Sequence, residues 1–204
     1  MPNNTDKTPG ALKNVILLGD SIRIGYGPFV RELLRGRADV YEPPENGRWA
    51  GYTLNCLVKH QWLGAFPDKI DAVHWNNGIW DMNSRHEEDG PFSTIEYYTE
   101  CLRKIIRTLR KLTPHIIFAT STPPREDEYV SPIYKRCLLS LETARRYNAA
   151  ALAVMEEHNI EVNDLFSLVL ENRSRFIGED NTHLTEEGNR ACAAQAAGKL
   201  EKFL

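Results

Sequence analysis

Four cysteines in 204 residues, Cys56, Cys101, Cys137 and Cys192, stand far apart with no C-x-x-C pair, so they build neither a zinc site nor a disulfide framework. Buried free thiols are the simpler expectation. No stretch approaches the roughly 18 apolar residues that a membrane span requires, and the opening MPNNTDKTPG has no apolar signal core. The expectation is a cytoplasmic protein without a membrane partner. Positive charge is not in excess: a formal net charge of −3 and a pI near 6.1 give no general attraction to phosphate backbones, which argues against nucleic acid as a partner. The phosphate-binding pattern G-x-x-x-x-G-K-[ST] is missing. Gly25-Tyr26-Gly27 begins a G-x-G-x-x pattern, but Val30 stands where close helix packing wants glycine or alanine, and these glycines come late after the preceding apolar run. Backbone freedom in a loop is the expected use of both.

What is present is a chain with 42% hydrophobic and 26% charged residues, enough for one domain with a sizeable core. Residues 1–13 read as a polar, disordered leader and 14–204 as a single domain. Short apolar runs alternate with longer amphipathic ones. Asn14–Leu18 reads as a strand buried on both faces. Pro28 suits the first turn of a helix over FVRELLRG, with Gly36 as its stop. Further strands are predicted at Ala38–Tyr41, Asp71–Trp75, His115–Thr120 and Ile160–Asn163. Helices are predicted over Tyr52–Trp62, from a Ser93/Glu96 capping box onward, over Ile133–Glu157, Leu165–Glu171 and Thr185–Phe203. The basic face Arg103, Lys104, Arg107, Arg110 and Lys111 reads as the solvated exterior of its helix. Five strands alternating with helices predict an α/β fold, a parallel sheet covered on both faces, with ligands at the carboxyl ends of the strands.

Gly19-Asp20-Ser21 follows the first strand at such an end. For Ser21 to act as a nucleophile it needs a base, and the base an orienting carboxylate. Of six histidines, two follow an aspartate by three residues. Asp71 and His74 fall in a predicted strand, where an odd separation turns the side chains to opposite faces. Asp180 and His183 fall in a loop before a helix that Thr185 can cap, where the carboxylate can fold back on its own histidine. The stretch His86-Glu87-Glu88-Asp89 imitates metal ligands but reads as a solvated acidic loop, so no metal is expected.

In combination, Gly19-Asp20-Ser21, a glycine in the loop after the second strand, a glycine-centred turn after the third, and Asp180-x-x-His183 before the last helix resemble the ordered blocks of the SGNH hydrolases, or GDSL esterases. The resemblance spans residues 15 to about 190. It implies a flavodoxin-like three-layer α/β/α sandwich with a five-stranded parallel sheet, and serine hydrolysis of a small-molecule ester with no cofactor. It makes Ser21 the nucleophile, His183 the general base and then acid, and Asp180 the orienting carboxylate. The second-block glycine falls on Gly51, with Gly47 the lesser register, so that the Ser21 and Gly51 N–H groups face the developing oxyanion. The third block departs from the family: where G-x-N-D is usual, the chain reads Asn76-Asn77-Gly78-Ile79-Trp80-Asp81. Asn76 is the first choice for the missing amide, Asn77 the second, and the Trp80 indole N–H a third.

The strand-end loops carry Arg23, Tyr26, Arg48, Trp49, Tyr52, Trp80, Arg125 and Tyr129. Aromatic rings and guanidinium groups in this mix suit a sugar-like leaving group, with Arg23, Tyr26, Trp49, Trp80 and Arg125 as the substrate-binding candidates. A short-chain, acetyl-type ester of a carbohydrate or similar metabolite is the expected substrate. A lysophospholipase or acyl-thioester hydrolase, or a binding module that keeps the fold without turnover, are the alternatives. Each nominated residue also has an ordinary use: Ser21 and Asp20 in a turn, His183 at a helix entrance, Arg23 and Arg125 in ion pairs. The residues do not fix the oligomeric state.

Overall fold

The computed structural model describes residues 12–204 apart from residues 60, 85–89, 128 and 134–136. The apolar run that opens the folded part is strand β1 (Lys13–Leu18), and Val15 through Leu18 are fully buried. Such a run survives only where both faces of a sheet are covered. The chain continues through α1 (Ser21–Leu33), β2 (Ala38–Tyr41), α2 (Ala50–Val58), β3 (Ala72–Trp75), α3 (Ile79–Met82), α4 (Ile95–Leu109), β4 (Ile116–Ala119), α5 (Leu141–Glu157), β5 (Glu161–Asn163), α6 (Leu165–Leu170), α7 (Arg173–Phe176) and α8 (Glu186–Leu200).

All five strands pair in parallel in the order β2-β1-β3-β4-β5, with Val15 opposite both Val40 and Ala72 and Leu18 opposite Trp75. This is the expected flavodoxin-like order. Period two divides the core. Ile16, Leu18, Val73, Trp75 and Phe118 face α2, α4 and α5. Val15, Leu17, Ala72, Ile117 and Ala119 face α1, α6, α7 and α8. The result is three layers, α/β/α. The chain leaves β1 toward β2 on one side and returns to β3 on the other. The crevice opened by this reversal lies beyond the carboxyl ends of β1 and β3, where Asp20-Ser21 and Asn76-Asn77-Gly78 emerge.

Several boundaries differ from the predicted ones. Helix α1 starts at Ser21 instead of Pro28, because the Asp20 carboxylate accepts the Ile22 N–H and caps it. Gly25 and Gly27 therefore lie inside a helix and not in a loop. A Cβ on Gly25 would come within 2.5 Å of Asn189 Oδ1 on α8, so the glycine serves the close approach of two helices. Helix α2 begins at Ala50, ahead of Tyr52, and draws Gly51 into its first turn. The cap of α4 is Thr94, whose hydroxyl accepts the Tyr97 N–H, and not Ser93. Helix α5 begins at Leu141 behind a Ser140 cap, later than predicted. Thr185 caps α8 as expected. Arg103 on the basic face of α4 pairs with Glu157. Among the described residues no helix is long and apolar enough to cross a membrane, and no cluster of three or more His, Cys, Asp or Glu side chains is placed to hold a metal ion. The His86–Asp89 stretch and residues 1–11 lie outside the described residues.

Candidate active site

Ser21 is the first residue of α1, presented at the end of β1 by a turn that only glycine permits. Gly19 has φ +148°, and a Cβ there would meet Asn76 Oδ1 at 1.8 Å. Asp20 is wholly buried behind the turn, bonded through Oδ1 to the Ile22 N–H and to Asn76 Nδ2, both at 3.0 Å. Burial raises its carboxyl above the usual range, against the pull of the Asn76 and Ile22 donors. Asp20 thus shapes the turn and leaves the next side chain, Ser21, to face the crevice.

His183 meets Ser21 from the far end of the chain. Its Nε2 lies 2.9 Å from Ser21 Oγ, and its Nδ1 lies 2.5 Å from Asp180 Oδ2. The other carboxylate oxygen, Oδ1, accepts the backbone N–H groups of Thr182 (3.0 Å) and His183 (2.9 Å), so the loop folds Asp180 back on its own histidine. Gly178 N–H to His183 O and Thr185 N–H to Phe176 O, both 2.8 Å, close this loop against α8. Partial burial works against ionisation of Asp180, but the hydrogen bonds from the His183 ring and from the two backbone N–H groups outweigh it, and its carboxyl is held below the usual range. Asn181, at φ +67°, turns away and bonds the 125–126 backbone: its Oδ1 accepts the Glu126 N–H at 2.7 Å, and its carbonyl accepts the Arg125 N–H. A hydroxyl, an imidazole and a carboxylate in one hydrogen-bonded line let the imidazole take the hydroxyl proton while the carboxylate fixes its tautomer.

The line opens on a cavity of about 150 Å³ walled by Ser21, His183, Thr182, Asn46, Ile79, Trp80 and Asn83. Trp80, nominated from the sequence, forms part of this wall. A second cleft of about 170 Å³ shares Thr182 and His183 with the first, with Tyr129, Pro132, Ile133, Leu138 and Leu139 among its lining. The remaining nominations go elsewhere. Arg23 is only 2% exposed and binds Glu42 at 2.7 Å and the carbonyls of Glu45 and Gly19, so it is an internal strut and not a substrate contact. Tyr26 is fully buried, with its hydroxyl 3.3 Å from His74 Nδ1. Trp49 precedes α2, packed between Tyr52 and Phe92, and does not line the cavity. Arg125 contributes its backbone N–H to Asn181 and lines neither cleft.

The expected amide donors are corrected as well. Asn76 is buried, and its Nδ2 is committed to Asp20. Asn77 is fully buried, with Nδ2 donating to Arg48 O (3.0 Å) and Thr53 Oγ1 (3.1 Å) and Oδ1 accepting the Trp75 indole N–H. Both asparagines hold loops together beneath the crevice. Gly51 is the second residue of α2, where an N–H has no acceptor within the helix, but it does not line the cavity and packs against Tyr97 and Trp49. Gly47 is excluded from the same part, since its N–H is spent on Gly19 O at 2.8 Å. Asn46, Ile79, Asn83 and Thr182 were not singled out from the sequence. The nearest available signal was position: Asn46 sits beside Gly47 in a strand-end loop, and Thr182 lies between Asp180 and His183.

A GDSL esterase/lipase of Arabidopsis thaliana is 27% identical to this chain over 198 residues, spanning 86% of this chain and 80% of that protein. A second one from the same plant is 26% identical over 212 residues, spanning 93% and 86%. Among solved structures, a lipase/acylhydrolase from Enterococcus faecalis shares the fold with a TM-score of 0.72 at 19% identity, covering 94% of this chain and 96% of that one. A catalytic mutant of the acetylxylan esterase Axe2 from Geobacillus stearothermophilus does so with a TM-score of 0.72 at 17% identity, covering 92% and 94%. No protein-family model matches the chain.

Proposed function

Because the chain belongs to the SGNH, or GDSL, hydrolase superfamily and is an ester-bond hydrolase, we propose that it removes a short acyl group, acetyl in the simplest case, from an ester of a carbohydrate or similar small polar metabolite. The observation that carries this reading is the unbroken line Asp180–His183–Ser21 ending on a small cavity. About 150 Å³ accommodates a group the size of benzene, enough for an acyl group of a few carbons. Asn46, Asn83 and Thr182 add amide and hydroxyl groups suited to a polar substrate.

In the proposed reaction His183 Nε2 takes the Ser21 hydroxyl proton as Oγ attacks the ester carbonyl. The carbonyl π electrons move to oxygen, and that oxyanion is held by N–H groups including that of Ser21, in the first turn of α1. The tetrahedral intermediate collapses, the C–O bond to the alcohol breaks, and His183 returns the proton to the leaving oxygen. Water then attacks the acyl-serine with His183 again as base, and the acid and free Ser21 result. Asp180 keeps the imidazole oriented and balances its transient positive charge. Residues 14–204 act as one catalytic unit in this reading.

The apolar wall of the second cleft, Pro132, Ile133, Leu138 and Leu139, favours the alternative of a longer acyl chain, as in a lysophospholipid or a thioester. Steady-state rates on p-nitrophenyl acetate, p-nitrophenyl octanoate and a panel of acetylated sugars decide between them. The short-acyl reading expects acetyl esters to exceed octanoyl in kcat/KM and Ser21→Ala to abolish both. A preference for octanoate establishes the alternative, and full activity in Ser21→Ala removes the serine mechanism.

A further inference from the structure

With the amides of Asn76 and Asn77 bonded beneath the crevice, the side-chain amides that wall the cavity of the proposed hydrolysis are those of Asn46 and Asn83. Asn46 is in the right place. It walls the same cavity as Ser21 and His183, and its loop is fastened directly to the turn that carries Ser21. The Gly47 N–H reaches Gly19 O at 2.8 Å, and a Cβ on Gly47 would come within 2.7 Å of that oxygen, so the approach needs glycine.

The orientation of the Asn46 amide is fixed as well. Its Oδ1 accepts the Arg48 N–H at 2.7 Å, a bond only the oxygen can make, and the planar amide then turns Nδ2 away from the Arg48 backbone. Arg48 sits at φ +52°, in the left-handed region, so the turn is held in a sparsely populated conformation. Neighbours on both sides impose it: Arg23 donates to Glu45 O at 3.1 Å, and Asn77 Nδ2 donates to Arg48 O at 3.0 Å. Two residues that the sequence nominated for the site thus clamp the loop on either side of Asn46. A donor fixed before the charge develops is what an oxyanion hole requires.

We infer that Asn46 is a catalytic residue, its Nδ2 binding the oxyanion while its Oδ1 remains on the Arg48 N–H. The inference rests on the serine-hydrolase reading, and the experiment separates the two. Asn46→Ala, Asn46→Asp, Asn83→Ala and Ser21→Ala are compared on p-nitrophenyl acetate at pH 8, with melting temperatures. Asn46→Asp keeps the acceptor for Arg48 and removes the donor, so it isolates the proposed role from the structural one. Both Asn46 variants are expected to lose about 10²- to 10³-fold in kcat with KM changed only a few-fold, and Asn46→Asp to melt near the parent. Parental kcat in both Asn46 variants, or a loss carried by Asn83→Ala with the Asn46 variants intact, overturns the inference and leaves the serine reading standing. Parental rates in Ser21→Ala overturn the serine reading itself.

Discussion

Asp81 turns burial into a measurable dependence of stability on pH. The residue is wholly buried, and its Oδ2 accepts the Ala50 N–H at 2.9 Å at the start of the helix that carries Gly51. Burial, against the pull of that N–H, pushes its carboxyl from 3.8 up to about 7. Between these values the folded protein holds a proton that the unfolded chain has released, so the contribution of Asp81 to stability falls as pH rises and levels off above about 8. About three pKa units at about 1.4 kcal/mol each come to roughly 4 kcal/mol. Asn at this position keeps an oxygen for Ala50 and carries no charge. The stability of Asp81→Asn relative to the parent should therefore climb by about 4 kcal/mol between pH 4 and pH 8, or about 8–16 °C in melting temperature for a chain of this size. His74 pulls the other way: burial lowers it to about 4, so its contribution grows as pH rises from 4 to 6.5. The parent alone thus shows a flattened curve, and only the difference between variant and parent isolates Asp81. Urea titrations of both proteins across this range provide the assay. Parallel curves at every pH refute the argument.

Arg23→Met should destabilise by about 3 kcal/mol, because Glu42 loses its buried partner and, among the described residues, keeps only Arg31. An unchanged urea midpoint with a raised KM would instead return Arg23 to the substrate. Gly19→Ala, with its Cβ driven into Asn76, should cost at least about 2 kcal/mol, read as a shift in the urea midpoint at constant slope. Asp180→Asn should lower kcat by about 10³- to 10⁴-fold through loss of the imidazole tautomer, with little change in melting, since the carboxylate is half-exposed. A kcat near that of the parent would mean that Asp180 does not orient His183.

The sheet was legible because β1 carries an unbroken apolar run and the short apolar runs alternate with longer amphipathic ones. The Asp180/His183 pair was legible because three residues in a loop can close on themselves, whereas the same spacing in a strand cannot. Asp71 accordingly bonds the Asn14 N–H while His74 points into the core toward Tyr26 and Asn163. The start of α1 was hidden because two glycines and a proline oppose helix formation locally, and only packing on α8 and the Asp20 cap override them. The amide assignments failed for a related reason. Asn76 and Asn77 are adjacent to the crevice in sequence, but what each binds is decided by residues 24 to 56 positions away. Arg23 and Tyr26 share the helix of Ser21 yet face inward, which depends on the helix register that the late predicted start at Pro28 concealed.

The central claim is that Ser21 is an activated nucleophile, and covalent labelling tests it most directly. After brief exposure to a fluorophosphonate, intact-mass spectrometry and peptide mapping should find one adduct, on Ser21, in the parent. Ser21→Ala should take no label, and His183→Ala should label far more slowly. An unlabelled parent, or an adduct on another residue, would contradict the account.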